Sequence, residues 1–375
     1  MIDAERAKQM LLELVHINSP SRHERGVADY VKAKLAALGF EVEEDDAAAQ
    51  VGGDAGNVIG FLRGTVDGAT PIFLSCHMDT VEPTDAIKVI CEGDIIKTDG
   101  TTILGADDKA GIVAVLEGVK DVLDRGAPRG DLQVIFSVSE EVGLSGARAL
   151  DPAKVRAKMG YVLDTERPVA GLTVSAPAHD CIAVEIHGKA VHAGLAPEKG
   201  VSAIVAASNA ISKMTLGRID AETTANIGKI EGGKARNIVP DHVTVSAEAR
   251  SRNNDKLDAQ VAHMKTLFEQ EAEKMGARAE FTSTRQYSTY RWRAEDDVVR
   301  LAAAASRAIG IEPALVEGGG GSDANIYNSI GIPALVVGTG YSGAHSHTEE
   351  ASVADLAKSA EFVAALIACA AETPG

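Results

Sequence analysis

Pro71-Ile72-Phe73-Leu74-Ser75-Cys76-His77-Met78-Asp79-Thr80 begins as an apolar run and ends with a His and an Asp two positions apart. An apolar run of this length without polar alternation reads as a strand buried on both faces, as in a parallel sheet covered by helices. Open α/β sheets place their ligand sites beyond the carboxyl ends of such strands, where His77 and Asp79 fall. Imidazole is a common transition-metal ligand, and a neighbouring carboxylate can fix its tautomer or reach a second ion. Alone, the pair reads more readily as a satisfied polar contact than as a metal site. The rest of the chain decides between the two.

Outward from this strand, helical and strand-like patterns alternate. Helical periodicity covers 3–17 and 24–38, with Gly39 closing the second helix. Strand-like runs follow at 40–43, 57–62, 72–75 and 95–97, then a helix over 108–125, a strand at 132–138, a helix over 143–150 and a strand at 161–163. This order predicts an α/β domain on a mostly parallel sheet. The pattern then changes. A half-buried strand at 181–186, a helix over 200–216, strands at 225–230 and 242–249, a helix over 254–275 and a strand at 279–284 follow the βαββαβ order of a ferredoxin-like α+β unit. Helices at 295–308 and 353–370 with a strand at 334–337 return to the α/β style. The expected organisation is a catalytic α/β domain, 1–177 and 291–375, with an inserted α+β domain over 178–290.

Candidate ligands recur at strand ends. Leu104-Gly105-Ala106-Asp107-Asp108-Lys109-Ala110-Gly111 places two acids between glycines at the start of a helix. An N-cap explains one Asp, since it accepts backbone N–H bonds and suits the helix dipole. Glycines on both sides also allow a close backbone approach to a ligand. Ser139-Glu140-Glu141-Val142-Gly143 follows the strand at 132–138, and adjacent glutamates diverge, so they can serve different partners. Asp164 follows the strand at 161–163. Gly343-Ala344-His345-Ser346-His347-Thr348-Glu349 adds two more histidines. Five such groups in register through one domain point to a metal centre. Two His with several carboxylates suit Zn²⁺, with Mn²⁺ or Co²⁺ as alternatives. Two ions about 3.5–4 Å apart would need a bridging carboxylate and a general base.

Bulk properties restrict the function classes. With 37 Lys+Arg against 54 Asp+Glu, the net charge of −17 argues against nucleic acid or an anionic membrane as partner. Hydrophobic residues at 45% and charged at 24% suit a soluble globular protein. Cys76, Cys91, Cys181 and Cys369 show no short paired spacing, so neither a zinc ribbon nor a disulfide framework is expected. No apolar run reaches the roughly 18 residues of a membrane span. The N-terminus reads as an amphipathic helix, and the cytoplasm is the expected compartment. A serine hydrolase is disfavoured: Gly143-Leu144-Ser145-Gly146 misses the Gly-x-Ser-x-Gly elbow by one glycine position.

Taken in order, these motifs resemble the M20 family of metallopeptidases, in its peptidase T-like, tripeptide aminopeptidase-like branch. The resemblance spans nearly the whole chain, including His187-Gly188-Lys189-Ala190-Val191-His192-Ala193-Gly194, Asn237-Ile238-Val239-Pro240-Asp241 and residues 319–326. It implies that His77 and Asp164 bind one metal ion, Glu141 and His345 the other, and that Asp107 bridges both. It makes Asp79 the residue that orients His77, and Glu140 the general base. It implies a cis Asp107–Asp108 peptide. The family spacing of His and Glu four apart selects His345 with Glu349, leaving His347 as a rim residue. His192, Asn237, Arg250 and Gly320 are implied as substrate-binding. An Asp at position 164 goes with di- and tripeptidases in the family, a Glu with deacylases and glutamate-releasing carboxypeptidases. The implied function is a two-metal aminopeptidase for short peptides, with an N-acyl-amino-acid deacylase or carboxypeptidase as the alternative. A non-enzymatic relative is the third class, and the intact Glu140 speaks against it. A homodimer through the inserted domain is the leaning for assembly.

Overall fold

The structure, a computed structural model, describes residues 2–375. The chain divides into two compact units. Met1–Val174, Arg291–Gly318 and Ser322–Gly375 make the first; Ser175–Tyr290 with Gly319–Gly321 make the second.

The first unit is organised on a nine-stranded sheet. Its middle strands lie in the order Leu132–Ser137, Ile72–His77, Met159–Val162 and Ala334–Val337, and neighbouring pairs are parallel. Every residue of these four strands is buried, which explains their continuous apolar runs. Phe73 and Leu74 are fully buried, each contributing about 1.5–3 kcal/mol of hydrophobic stabilisation. Val58–Leu62 and Glu41–Glu44 extend one side antiparallel, and Leu172–Ala176 the other. The sheet is therefore parallel where the site lies and antiparallel toward its margins.

Helix Ala106–Asp124 is buried along most of its length and packs on helices Val353–Glu372 and Ala4–Val15. Gly118 permits the first crossing: a Cβ there would stand 2.6 Å from Val363 and 2.7 Å from the Ala360 carbonyl. The two last-named helices are capped by Ser352 and Asp3 side chains that accept backbone N–H groups. Regular helix begins only after Asp108, because Asp107 and Asp108 have non-helical backbone angles and a cis peptide joins them. A small antiparallel sheet of Val89–Glu92, Ile95–Thr98 and Glu350–Ser352 secures the chain just beyond His345.

The second unit is an antiparallel sheet in the order Gly217–Arg218, Thr223–Gly232, His242–Ser251, Ala178–His187, Arg278–Tyr287. Two helices, Ala203–Ile211 and Asn254–Lys274, share a core with one of its faces through Ile182, Val184, Ile186, Ala206 and Phe268. This is the ferredoxin-like order with one added short strand. The helix expected over 200–216 is shorter. Val201 pairs with Lys189 as a β-bridge, Ser202 caps the helix, and Met214 and Leu216 pack on the core as irregular chain. Among the described residues no helix is long and apolar enough to cross a membrane.

Candidate active site

Parallel neighbours end on the same edge of a sheet, so their following residues converge. His77 is the last residue of its strand, Asp164 lies two residues past Met159–Val162, and Glu140 and Glu141 follow Leu132–Ser137 by three and four. Asp107 stands at the irregular start of its helix, and His345 lies in the loop after Ala334–Val337. The structure brings all six together in the first unit.

His77 Nε2 is 3.2 Å from Asp107 Oδ1 and 3.7 Å from Asp164 Oδ1. His345 Nε2 is 2.8 Å from Glu141 Oε1 and 3.4 Å from Asp107 Oδ2. The two oxygens of Asp107 thus face two different His–carboxylate groups. Each group offers three ligand atoms within 4.8 Å of one another. Glu140 lies beside His77 and Glu141 at the same range.

The electrostatics call for positive charge. Burial pushes the Asp164 carboxyl well above the usual range, opposed by His77 and reinforced by Glu140 and Asp107. Burial pushes Glu140 up strongly too, with His77 opposing and Asp323, Glu141 and Asp79 adding to it. Burial alone would lower His77, yet hydrogen bonds to Asp107 and Asp79 outweigh it and raise it well above its ordinary value. Hydrogen bonds to Asp107 and Glu141 push His345 up to about 10. Carboxylates packed this closely out of water are stable beside cations, and the donor chemistry fits divalent ions.

The tautomer of His77 follows from its partner. Nδ1 lies 2.8 Å from the Asp79 carbonyl oxygen. A carbonyl only accepts, so Nδ1 carries a hydrogen, and Nε2, facing Asp107 and Asp164, is the nitrogen left to serve a metal ion. The Asp79 carboxylate, 3.3 Å from Nδ1, also accepts the Glu140 N–H at 2.9 Å, the Glu141 N–H at 3.2 Å and the Ser21 hydroxyl at 2.6 Å. It anchors the turn that carries both glutamates.

Several groups support the site in ways the sequence reading did not assign. Glu24 is fully buried and accepts the Ser139 N–H and hydroxyl and the Arg22 N–H. That holds Ser139 at φ 53°, a left-handed conformation rare outside glycine. Glu349 accepts the backbone N–H groups of Leu104, Gly105 and Asp107 at 2.7–2.9 Å, which sets the loop of the central Asp107. Tyr341 donates its hydroxyl to Asp107 Oδ1 at 3.1 Å. Asp323, the first residue of a helix over Asp323–Ser329, accepts the Ser137 hydroxyl, and burial raises it to about 6. The Ser322/Asn325 capping box is a sequence signal that marks this helix. His347 is exposed.

The remaining expected site residues lie in the second unit. His192 is exposed, with its Nδ1 accepting the Gly194 N–H and its backbone bridged to Ile238. The Asn237 carbonyl accepts the Ala193 N–H. Arg250, on the strand His242–Ser251, donates to Glu248 at 3.0 Å, and His179 contacts the same carboxylate oxygen at 3.0 Å. A Cβ at Gly320 would meet nothing within 4 Å, whereas at Gly321 it would strike the Tyr287 ring.

Comparison with known proteins gives a consistent result. The model of peptidase family M20/M25/M40 matches residues 73–368. The crystal structure of aminopeptidase PepT from Bacillus cereus ATCC 10987 superposes with a TM-score of 0.91 at 45% identity, covering 99% of each chain. A tripeptidase from Staphylococcus aureus subsp. aureus Mu50 superposes with a TM-score of 0.95 at 39% identity over 100% of both chains. Protein YqjE of Bacillus subtilis (strain 168), which is uncharacterized, is 45% identical over 372 residues, 99% of this chain and 100% of its own length.

Proposed function

The chain belongs to peptidase family M20/M25/M40, and we propose that it is a two-metal aminopeptidase that removes N-terminal residues from short peptides, tripeptides in particular. It is a peptide-bond hydrolase. The observation that carries the reading is Asp107, whose two oxygens face separate His–carboxylate groups beside a third, buried carboxylate, Glu140. The relatives named as an aminopeptidase and a tripeptidase, alike over whole chains, support the substrate class, as does Asp rather than Glu at 164.

In this mechanism His77 and Asp164 would hold one ion and Glu141 and His345 the other, with one oxygen of Asp107 turned toward each pair. Two divalent ions, Zn²⁺ ahead of Mn²⁺ or Co²⁺ for this donor set, would supply Lewis acidity at the scissile carbonyl and acidify a water. Glu140 takes the proton of the attacking water on its carboxylate and returns it to the leaving amine nitrogen. Its raised proton affinity suits a group that must first gain a proton and then release it. Asp79 keeps Glu140 in place through the turn and His77 in the correct tautomer. His192 is proposed to polarise the scissile carbonyl and Arg250 to take the peptide's carboxylate, with Asn237 and Gly320 lining the substrate. The second unit is proposed as lid and dimerisation domain, and the cytoplasm as the setting.

A substrate panel on metal-loaded protein, with metal content measured in parallel, tests the proposal. Free tripeptides should be cleaved from the N-terminus, and N-acetylation should stop the reaction. Preference for N-acetyl amino acids over free tripeptides would instead assign a deacylase.

A further inference from the structure

The second unit carries another set of metal-ligand side chains, unrelated to the catalytic group. Along the strand Ala178–His187 burial alternates, with Ile182, Val184 and Ile186 buried on the helix-covered face. Glu185 and His187 therefore project from the opposite face. The register sets His242 directly across from His187 on one neighbouring strand, and Glu280 across from Glu185 on the other. Four potential ligands from three adjacent strands meet on one face.

We propose that Glu185, His187, His242 and Glu280 form a second, non-catalytic binding site for a divalent transition-metal ion of the zinc class. The distances carry the proposal. Zinc–ligand bonds of about 2.0–2.2 Å in a tetrahedron set ligand atoms about 3.3–3.6 Å apart. His187 Nε2 is 3.5 Å from Glu185 Oε2 and 3.5 Å from Glu280 Oε1, and His242 Nε2 is 3.4 Å from Glu185 Oε2. The ligand atoms of Glu185, His187 and His242 all lie within 4.8 Å of one another.

A second observation points the same way. His187 Nε2 is cut off from solvent and makes no hydrogen bond, although two carboxylates stand at ion-ligand spacing from it. A buried ring nitrogen without a partner is costly, and an ion at the centre of the cluster would satisfy it. The like-charged pair Glu185 and Glu280 sits directly cross-strand, an arrangement that destabilises a sheet. Arg278 pairs with Glu280, while Glu185 faces the two imidazoles. An ion here would clasp the strand Ala178–His187 to both its neighbours. Imidazole and carboxylate donors also accept Ni²⁺ and Cu²⁺, and geometry with availability selects among them.

The test compares chelator-stripped full-length protein with a His187→Asn/His242→Asn double variant. Both are dialysed to equilibrium against buffered Zn²⁺, and zinc per chain is measured. The unaltered protein should hold one more zinc per chain than the variant, with tripeptide hydrolysis the same in both. A Glu185→Gln variant, changed at an exposed position, should weaken the same extra equivalent and guards against a folding defect in the double variant. Equal zinc in all three proteins overturns the site. So does a lost zinc accompanied by lost hydrolysis, because the ion would then serve the catalytic centre. The readout is a difference in ion count, so it stands or falls independently of the peptidase reading.

Discussion

Replacing Asp79 by Asn separates two jobs that one carboxylate performs. Its oxygens accept the Glu140 and Glu141 N–H groups and the Ser21 hydroxyl, and the residue is fully buried. Asn presents one acceptor oxygen and an amide that donates, so at least one backbone N–H of the turn loses its acceptor. A hydrogen bond to a charged group contributes about 1.5–3 kcal/mol, and an orphaned buried donor costs about 1–3 kcal/mol. Burying a neutral amide is cheaper than burying a carboxylate, which offsets part of this. The expected net loss is about 2–4 kcal/mol in denaturant unfolding at fixed zinc. His77 Nδ1 keeps its main-chain acceptor, the Asp79 carbonyl, so metal content should hold. Loosening the turn should instead displace Glu140, and a displacement near 1 Å costs about 100-fold in rate. The assay is kcat and KM on a free tripeptide alongside zinc per chain. If zinc drops while turnover per bound zinc stays unchanged, Asp79 acts through His77 alone and the reasoning about the turn is wrong.

Three further outcomes follow from the same geometry. Glu140→Gln should lower kcat by about 100- to 10,000-fold with metal content intact, whereas Glu141→Gln should release metal; loss of metal from the first variant would reverse the roles of the pair. Glu44 is bound by Arg25, Lys32 and the Gly56 N–H. Burial alone would raise it, but these partners outweigh burial and hold it at about 2, against 4.5 for the free group. Its folded value is the lower one, so its stabilisation is complete above pH 4.5 and fades as the pH falls toward 2. Glu44→Gln should therefore cost about 1–2 kcal/mol near neutrality after solvent screening, and equilibrium unfolding against pH should show the two proteins converging in acid. Gly118→Ala should destabilise by about 1–2 kcal/mol, since overpacking against Val363 and Ala360 costs about 1–3 kcal/mol and Ala recovers up to about 1 kcal/mol of helix propensity; a variant more stable than the parent in thermal unfolding would show that the helix crossing yields freely.

The difference between what could and could not be read from the chain lies in which atoms carry the information. Strand Ile72–His77 was legible because burial on both faces leaves only apolar residues between Ile72 and Leu74, and His77 stood out against them. Asp107, Glu141, Asp164 and His345 were legible for a related reason: a parallel sheet sends its strand ends to one edge, so polar residues there accumulate in sequence at recurring places. Glu24 has the same side chain as Glu141 yet was not read as part of the site, and Glu349 entered only through its spacing from His345. Their partners are backbone N–H groups of Ser139, Leu104, Gly105 and Asp107, and a backbone donor leaves no trace in residue identity. The same holds for Asp79, whose role toward His77 is visible as spacing while its hold on the Glu140–Glu141 turn is not. The helix expected over 200–216 ran past Ile211 because Met214 and Leu216 continue the apolar pattern, although they pack as irregular chain. Periodicity reports which side chains are buried and leaves open whether the backbone between them is helical. The His187 cluster makes the converse point: its residues are ordinary in sequence, His187 and His242 are 55 positions apart, and only antiparallel register makes them neighbours.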